Sequence, residues 1–213
     1  MRVLLIVGVC AAVATEATAD TILRLSDGVT TIEVMDGGAG DFMPQLGVVG
    51  FSGTLGVFTV QLTVGTTKPM VGSPTAPEMD LFDLSLTTSS GGTLSVLFTD
   101  TDFVATHPGL YAGVGGTTQG MVTTSVRADD GNAPFAGPTY LSMGPFSGTF
   151  SGTGIGLLTG FTGSYSLTLG ATITHTGPGQ LTSFDLTAAV PEPSSLALLG
   201  SALGLFLLRR RRS

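Results

Sequence analysis

Residues 57–64 read Val-Phe-Thr-Val-Gln-Leu-Thr-Val, with β-branched and aromatic side chains set among Thr and Gln. Alternation of that kind sends every second side chain to one face of an extended chain, and it is the feature that most restricts the fold. It recurs at 30–35, 81–87, 94–98, 164–169 and 171–175. Between these runs lie turn-forming clusters at 36–41, 69–77, 89–92, 129–132 and 177–179, rich in Gly, Pro, Asp and Ser. No window before residue 190 repeats at a helical period. The pattern predicts an all-β protein, an antiparallel β-sandwich of roughly nine to twelve strands, jelly-roll-like or an irregular barrel. The 32 glycines follow no three-residue period, which excludes collagen, and they read as punctuation between strands.

The two ends break this pattern. Residues 1–19 place Arg2 before an apolar stretch, Val3 to Ala14, and close on Ala17-Thr18-Ala19. A positive residue, a short apolar helix and a small-x-small site form a secretory signal, with cleavage after Ala19 and Asp20 as the new N-terminus. Cys10, the one cysteine of the chain, leaves with it. A mature body without cysteine has no disulfide, no thiolate nucleophile and no cysteine metal site.

Charge is divided just as sharply. From Asp20 to Ala189 there are thirteen acidic residues against three basic ones, Arg24, Lys68 and Arg127, a net of −10. Such a body repels polyphosphate, so nucleic acid is not an expected partner. Four of the remaining cations stand together at the C-terminus as Arg209, Arg210, Arg211 and Arg212.

Residues 190–213 carry the most specific pattern. Val190-Pro191-Glu192-Pro193 is followed by an apolar run, Leu196 to Leu208, and then by the arginines. Thirteen residues of helix reach about 20 Å, short of a hydrocarbon core of about 30 Å, so the run is a marginal transmembrane helix. The arginines fit a stop-transfer signal that keeps the C-terminus in the cytoplasm. Proline on both sides of Glu192 holds the backbone extended, as an engaging protease needs.

Pro191, Glu192 and Pro193, the apolar segment and the arginine cluster resemble the PEP-CTERM sorting signal. The resemblance is confined to this tail. It implies an exosortase-type membrane protease as partner, transient anchoring in the inner membrane, and delivery to the outer surface or an exopolysaccharide matrix. The domain layout expected is therefore a signal peptide at 1–19, a β-sandwich ectodomain at 20–189 and a sorting tail at 190–213.

The body offers little chemistry. His107 and His175 have neither a second histidine nor a carboxylate at metal-ligand spacing, and read as loop and strand residues. Ser52 and Ser147 lack the second glycine of a nucleophile elbow, because Thr54 and Thr149 stand there. Gly152-Thr153-Gly154-Ile155-Gly156 begins like a dinucleotide loop, but Leu157 and Thr159 stand where the motif requires its third glycine, and no strand-helix unit follows. Asp36, Asp41, Asp100, Asp102, Asp129 and Asp130 sit in or beside turns, where carboxylates either cap backbone N–H groups or take calcium. Asp80 with Asp83 is formally a pair of carboxylates for glycoside hydrolysis. The absence of Trp argues against sugar stacking, leaving Tyr and Phe for that purpose. Four Phe-hydroxyl-Gly-hydroxyl segments, at 51–54, 146–149, 150–153 and 161–164, read as strands that bury Phe and bend at Gly.

The expected protein is thus an exported surface or matrix component without catalytic activity, cofactor or metal. The competing expectation is a carbohydrate-binding module of the exopolysaccharide matrix, with calcium as an optional ligand.

Overall fold

The computed structural model describes residues 20–191, and within them ten strands and no helix. In chain order they are β1 (Ile22–Ser26), β2 (Thr31–Met35), β3 (Val48–Leu55), β4 (Phe58–Thr66), β5 (Glu78–Thr88), β6 (Gly92–Val104), β7 (Gly109–Asp129), β8 (Thr139–Leu157), β9 (Ser164–His175) and β10 (Leu181–Ala189). Every pairing is antiparallel. The expected signal helix and C-terminal helix, with Ala17, Ala19, Glu192, Pro193 and Arg209–Arg212, lie outside the described residues.

The ten strands form one continuous sheet, ordered β2-β1-β6-β9-β7-β10-β5-β4-β3, with β8 along β7. A single sheet becomes two layers because β7 runs through both. Its first half pairs with β10, Tyr111 opposite Ala189, and its second half pairs with β9, Asp129 opposite Ser166. β8 follows β7 around the bend, and their ladder breaks between Thr118 and Val122. One layer is therefore β2-β1-β6-β9 with the second half of β7, and the other is β3-β4-β5-β10 with the first half. The layers face each other through contacts of β1 and β2 with β3, β4 with β6, and β5 with β9.

Inward side chains of both layers make one core. Leu23, Leu25, Val96, Phe98 and Ile173 come from one side, and Phe58, Val60, Met79, Leu81 and Leu186 from the other, all almost completely buried. Two glycines are required by close approach. A Cβ on Gly65 of β4 would stand 2.2 Å from the Phe98 ring of the facing layer, so the ring occupies the missing side chain's place. At the bend of β7, a Cβ on Gly120 would stand 2.2 Å from the Thr174 carbonyl oxygen and 2.6 Å from the His175 ring.

The alternation-based strands all exist, and two of them, 164–169 and 171–175, are parts of the single strand β9. The reading of glycine as punctuation fails for β7 and β8, which carry glycines inside strands of 21 and 19 residues. β7 bends across both layers and β8 follows it along its other edge, so both strands need curvature where a missing side chain helps the backbone turn. Phe146 and Phe150, from two of the repeated segments, stack with centroids 4.8 Å apart, and the β3–β4 register shifts between Phe51 and Gly53.

Candidate functional site

The strand order brings several loops to one pole of the sandwich. There β6 ends, β7 begins, β8 ends and β9 begins, and β10 finishes beside the start of β7. Val104 N donates to Pro74 O at 2.7 Å and Leu158 N to Pro108 O at 2.7 Å, which ties the β4–β5, β6–β7 and β8–β9 loops together. Val190 is buried at this pole, and its N–H donates to Pro77 O at 2.9 Å. Of the sorting motif only Pro191 is described, and it stands half-buried directly after that contact.

The N-terminal edge of the fold is clamped at the same pole. Asp100, fully buried near the end of β6, receives Lys68 Nζ at 2.6 Å, Thr67 Oγ1 at 2.7 Å, Thr21 Oγ1 at 3.1 Å and the Thr101 N–H at 2.8 Å. Asp20 N donates to Thr101 Oγ1 at 2.8 Å, so the residue that would follow cleavage after Ala19 is tied to β6. A buried carboxylate is tolerated only when its charge is paired and its lone pairs are filled, and both conditions are met.

Between residues 105–108 and 158–161 lies a cleft of about 330 Å³, floored by Tyr165 of β9. His107 lines it, and its Nδ1 accepts the Gly109 N–H at 2.9 Å. Phe161 is held edge-on between two tyrosines, with centroids 5.9 Å from Tyr140 and 5.2 Å from Tyr165. Tyr165 is 1% exposed, and its hydroxyl has no hydrogen-bond partner among the described residues. Burial pushes its pKa up, beyond the usual phenol range, so it is a neutral hydroxyl. No carboxylate and no serine lines the cleft, so His107 has neither partner of a Ser-His-Asp arrangement beside it.

His175 is at the opposite pole and is used for structure. Gly120 N donates to Thr118 Oγ1 at 3.0 Å, Thr118 and Thr182 hydroxyls meet at 2.6 Å, and Thr182 Oγ1 lies 2.8 Å from His175 Nε2. On the other side His175 Nδ1 lies 3.0 Å from Thr88 Oγ1, which donates to Gly177 O at 3.1 Å. One proton assignment satisfies the whole chain: Thr182 donates to Nε2, and Nδ1–H donates to Thr88. It requires a neutral ring, and burial lowers the His175 pKa in the same direction. This chain joins β5, β7, β9 and β10 where the sheet turns over.

Four of the turn carboxylates accept hydrogen bonds from neighbouring loops or turns. Asp36 Oδ2 accepts Gly47 N at 2.6 Å, Asp41 accepts the N–H groups of Gly37, Met43 and Gly50, Asp102 accepts Asn132 Nδ2 at 2.7 Å, and Asp129 accepts Ala133 N at 3.0 Å. Among the described residues, no three of His, Cys, Asp or Glu are placed to share a metal ion.

Asp80 and Asp83 are not a catalytic pair, since an odd separation along β5 sends them to opposite faces. Asp83 points into the core, fully buried, with neither oxygen hydrogen-bonded to a described residue. Burial raises its pKa to about 7; the Thr63 hydroxyl opposite it on β4 lowers the value by less and does not reach hydrogen-bond geometry. Asp80, on the outer face, is also raised to about 7, first by burial and then by the carboxylates of Asp185 and Glu78. The sequence held no sign of the Asp80–Asp185 proximity, which comes from the β5–β10 register, Asp80 opposite Thr187 and Phe82 opposite Asp185.

No curated protein matches this chain. Among solved structures, the fold is similar to TmCBM61, solved in complex with β-1,4-galactotriose, at 10% identity and a TM-score of 0.37 over 72% of this chain and 92% of that one. It is also similar to TmCBM27, a carbohydrate-binding module that recognises mannan, at 10% identity and a TM-score of 0.30 over 62% of this chain and 86% of that one. The enzymatically active domain of bacteriophage CBA120 tailspike protein 4 aligns at 11% identity and a TM-score of 0.35 over 72% of this chain and 21% of that one. Scores this low carry neither a ligand nor an activity over to this chain. The tail is specific: residues 189–212 match the PEP-CTERM protein-sorting motif, so the chain bears the signal of a sorted, exported protein.

Proposed function

We propose that the protein is a non-catalytic component of the cell surface or extracellular matrix, delivered there by its PEP-CTERM tail. The observation that carries this reading is the junction at Val190: a buried residue of the sandwich immediately precedes the Pro191-Glu192-Pro193 motif. A folded body that closes right before an extended motif can pass through export and tail processing as a finished unit. An exosortase-type protease cuts near that motif, and the inner membrane holds the chain until then. Intact mass of the protein recovered from its native cells tests this. Loss of residues 1–19 together with loss of the tail is the expected result, and a full-length chain in the cytosol overturns it.

The second reading, binding of extracellular polysaccharide, is favoured by the lining of the cleft. Its walls are aromatic and hydroxyl-bearing and hold no carboxylate, lysine or arginine. Calcium has no comparable support, because Asp36, Asp41, Asp100, Asp102 and Asp129 already accept from backbone and side-chain donors and no three acidic or histidine residues among the described ones share a site.

A further inference from the structure

We infer that the cleft between the β6–β7 and β8–β9 loops is a binding site for one or two neutral sugar rings of a polysaccharide, an inference that rests on the polysaccharide reading. The Tyr165 hydroxyl points to a ligand. It is buried and has no hydrogen-bond partner among the described residues, and Tyr165 is one of the residues that line the cleft. Hydroxyls left in that state are uncommon, because burial removes water without replacing it. A ligand hydroxyl reaching the floor of the cleft supplies what is missing.

The remaining groups restrict the ligand's chemistry. His107 Nδ1 accepts the Gly109 N–H, so the neutral ring carries its proton on Nε2 and offers a donor. Thr106 donates its proton to Thr75 O at 2.8 Å, which leaves its oxygen free to accept. Phe161, fixed by its two edge contacts, supplies a rigid apolar wall of the kind that C–H faces of a pyranose pack against. Donors, acceptors and an aromatic wall with no formal charge suit a neutral polyol ring, and they disfavour phosphates, uronates and cations. A volume of about 330 Å³ holds one or two such rings and no more. The site therefore takes a chain end or a side branch, reached end-on at the pole.

The test uses the purified full chain in lauryldimethylamine oxide micelles, a detergent without a sugar headgroup. Saturation-transfer NMR and calorimetry are run with methyl glycosides of glucose, galactose, mannose and N-acetylglucosamine, with methyl glucuronide as the charged control. At least one neutral glycoside is expected to bind, and the glucuronide to bind at least tenfold more weakly. Tyr165→Phe is expected to weaken binding about tenfold, the equivalent of one hydrogen bond, without lowering the thermal midpoint. Phe161→Ala is expected to weaken it by a similar factor. Absence of binding by every neutral glycoside at 10 mM, taken as roughly the weak end of single-ring affinity, overturns the proposal. So does binding that Tyr165→Phe and Phe161→Ala leave unchanged, a result that would keep the polysaccharide reading and move its site elsewhere.

Discussion

Lys68 Nζ lies 2.6 Å from Asp100 Oδ2 in a setting where the carboxylate is fully buried and the lysine side chain is 10% exposed. The same ammonium stands 4.0 Å above the Phe103 ring. Removing one member of such a pair leaves the other as an unpaired buried charge, which costs far more than the pair itself contributes. Lys68→Met is expected to destabilise the body by about 3–5 kcal/mol in urea denaturation. Lys68→Met combined with Asp100→Leu should recover part of that loss, because no charge is then stranded.

Asp83 makes stability depend on pH in a direction opposite to most carboxylates. Its folded pKa, about 7, exceeds the ordinary value of 3.8, so the folded state binds the proton more tightly than the unfolded chain. The stabilisation is complete below pH 3.8 and is lost as pH rises through about 7. Three units of difference correspond to at most about 4 kcal/mol. Asp83→Asn should flatten this limb: the variant is expected to gain stability over the wild type at pH 8 and to show little difference at pH 4, roughly the ordinary carboxylate value. Denaturant midpoints at the two pH values give the answer, and equal effects at both would show that Asp83 is charged in the fold.

His175 acts with the other sign. Its pKa is lowered by burial, so the unfolded chain takes up the proton first as pH falls below the ordinary value of 6.5, and stability declines from there. His175→Ala should remove that acid limb. It also deprives the Thr88 and Thr182 hydroxyls of their shared partner, and is expected to cost about 2–4 kcal/mol at pH 8, roughly one to two buried unsatisfied groups. Retention of the acid limb in the variant would assign it to another group.

Much of the layered core was legible because alternation fixes which side chains can share a face. Val57–Val64 and Leu81–Thr87 identify β4 and β5 within three residues at each end, and Leu94–Phe98 identifies the first part of β6. What alternation does not contain is the partner of a strand, and the cleft depends on partners: His107 is far in sequence from Phe161 and Tyr165 and meets them only because the β8–β9 loop and β9 lie against the β6–β7 loop. The long ribbon of β7 and β8 was hidden for a related reason. Glycine signals a turn when it is isolated, but here it marks close approaches inside strands, at Gly120 against Thr174 and at Gly65 against Phe98. The sorting tail needed no partner strand, since its order of elements is itself the pattern of the PEP-CTERM protein-sorting motif.

Val190 belongs to the packed body although the sorting-motif match begins one residue before it. Val190 is 2% exposed and its N–H is bonded to Pro77 O, whereas Pro191 is half-buried and begins the sorting motif. A chain ended after Pro191 keeps both the buried valine and its hydrogen bond; one ended after Ala189 loses both. Burying a valine contributes about 1.5–3 kcal/mol, and a net hydrogen bond about 1 kcal/mol. The shorter chain is therefore expected to be less stable by about 2–4 kcal/mol, measured by urea denaturation of the two truncated chains. Equal stabilities would place Val190 with the tail. A protease that cuts on the C-terminal side of Pro191 leaves the sandwich whole, while a cut before Val190 would release a weakened body, so the position of this one residue sets how processing and folding coexist.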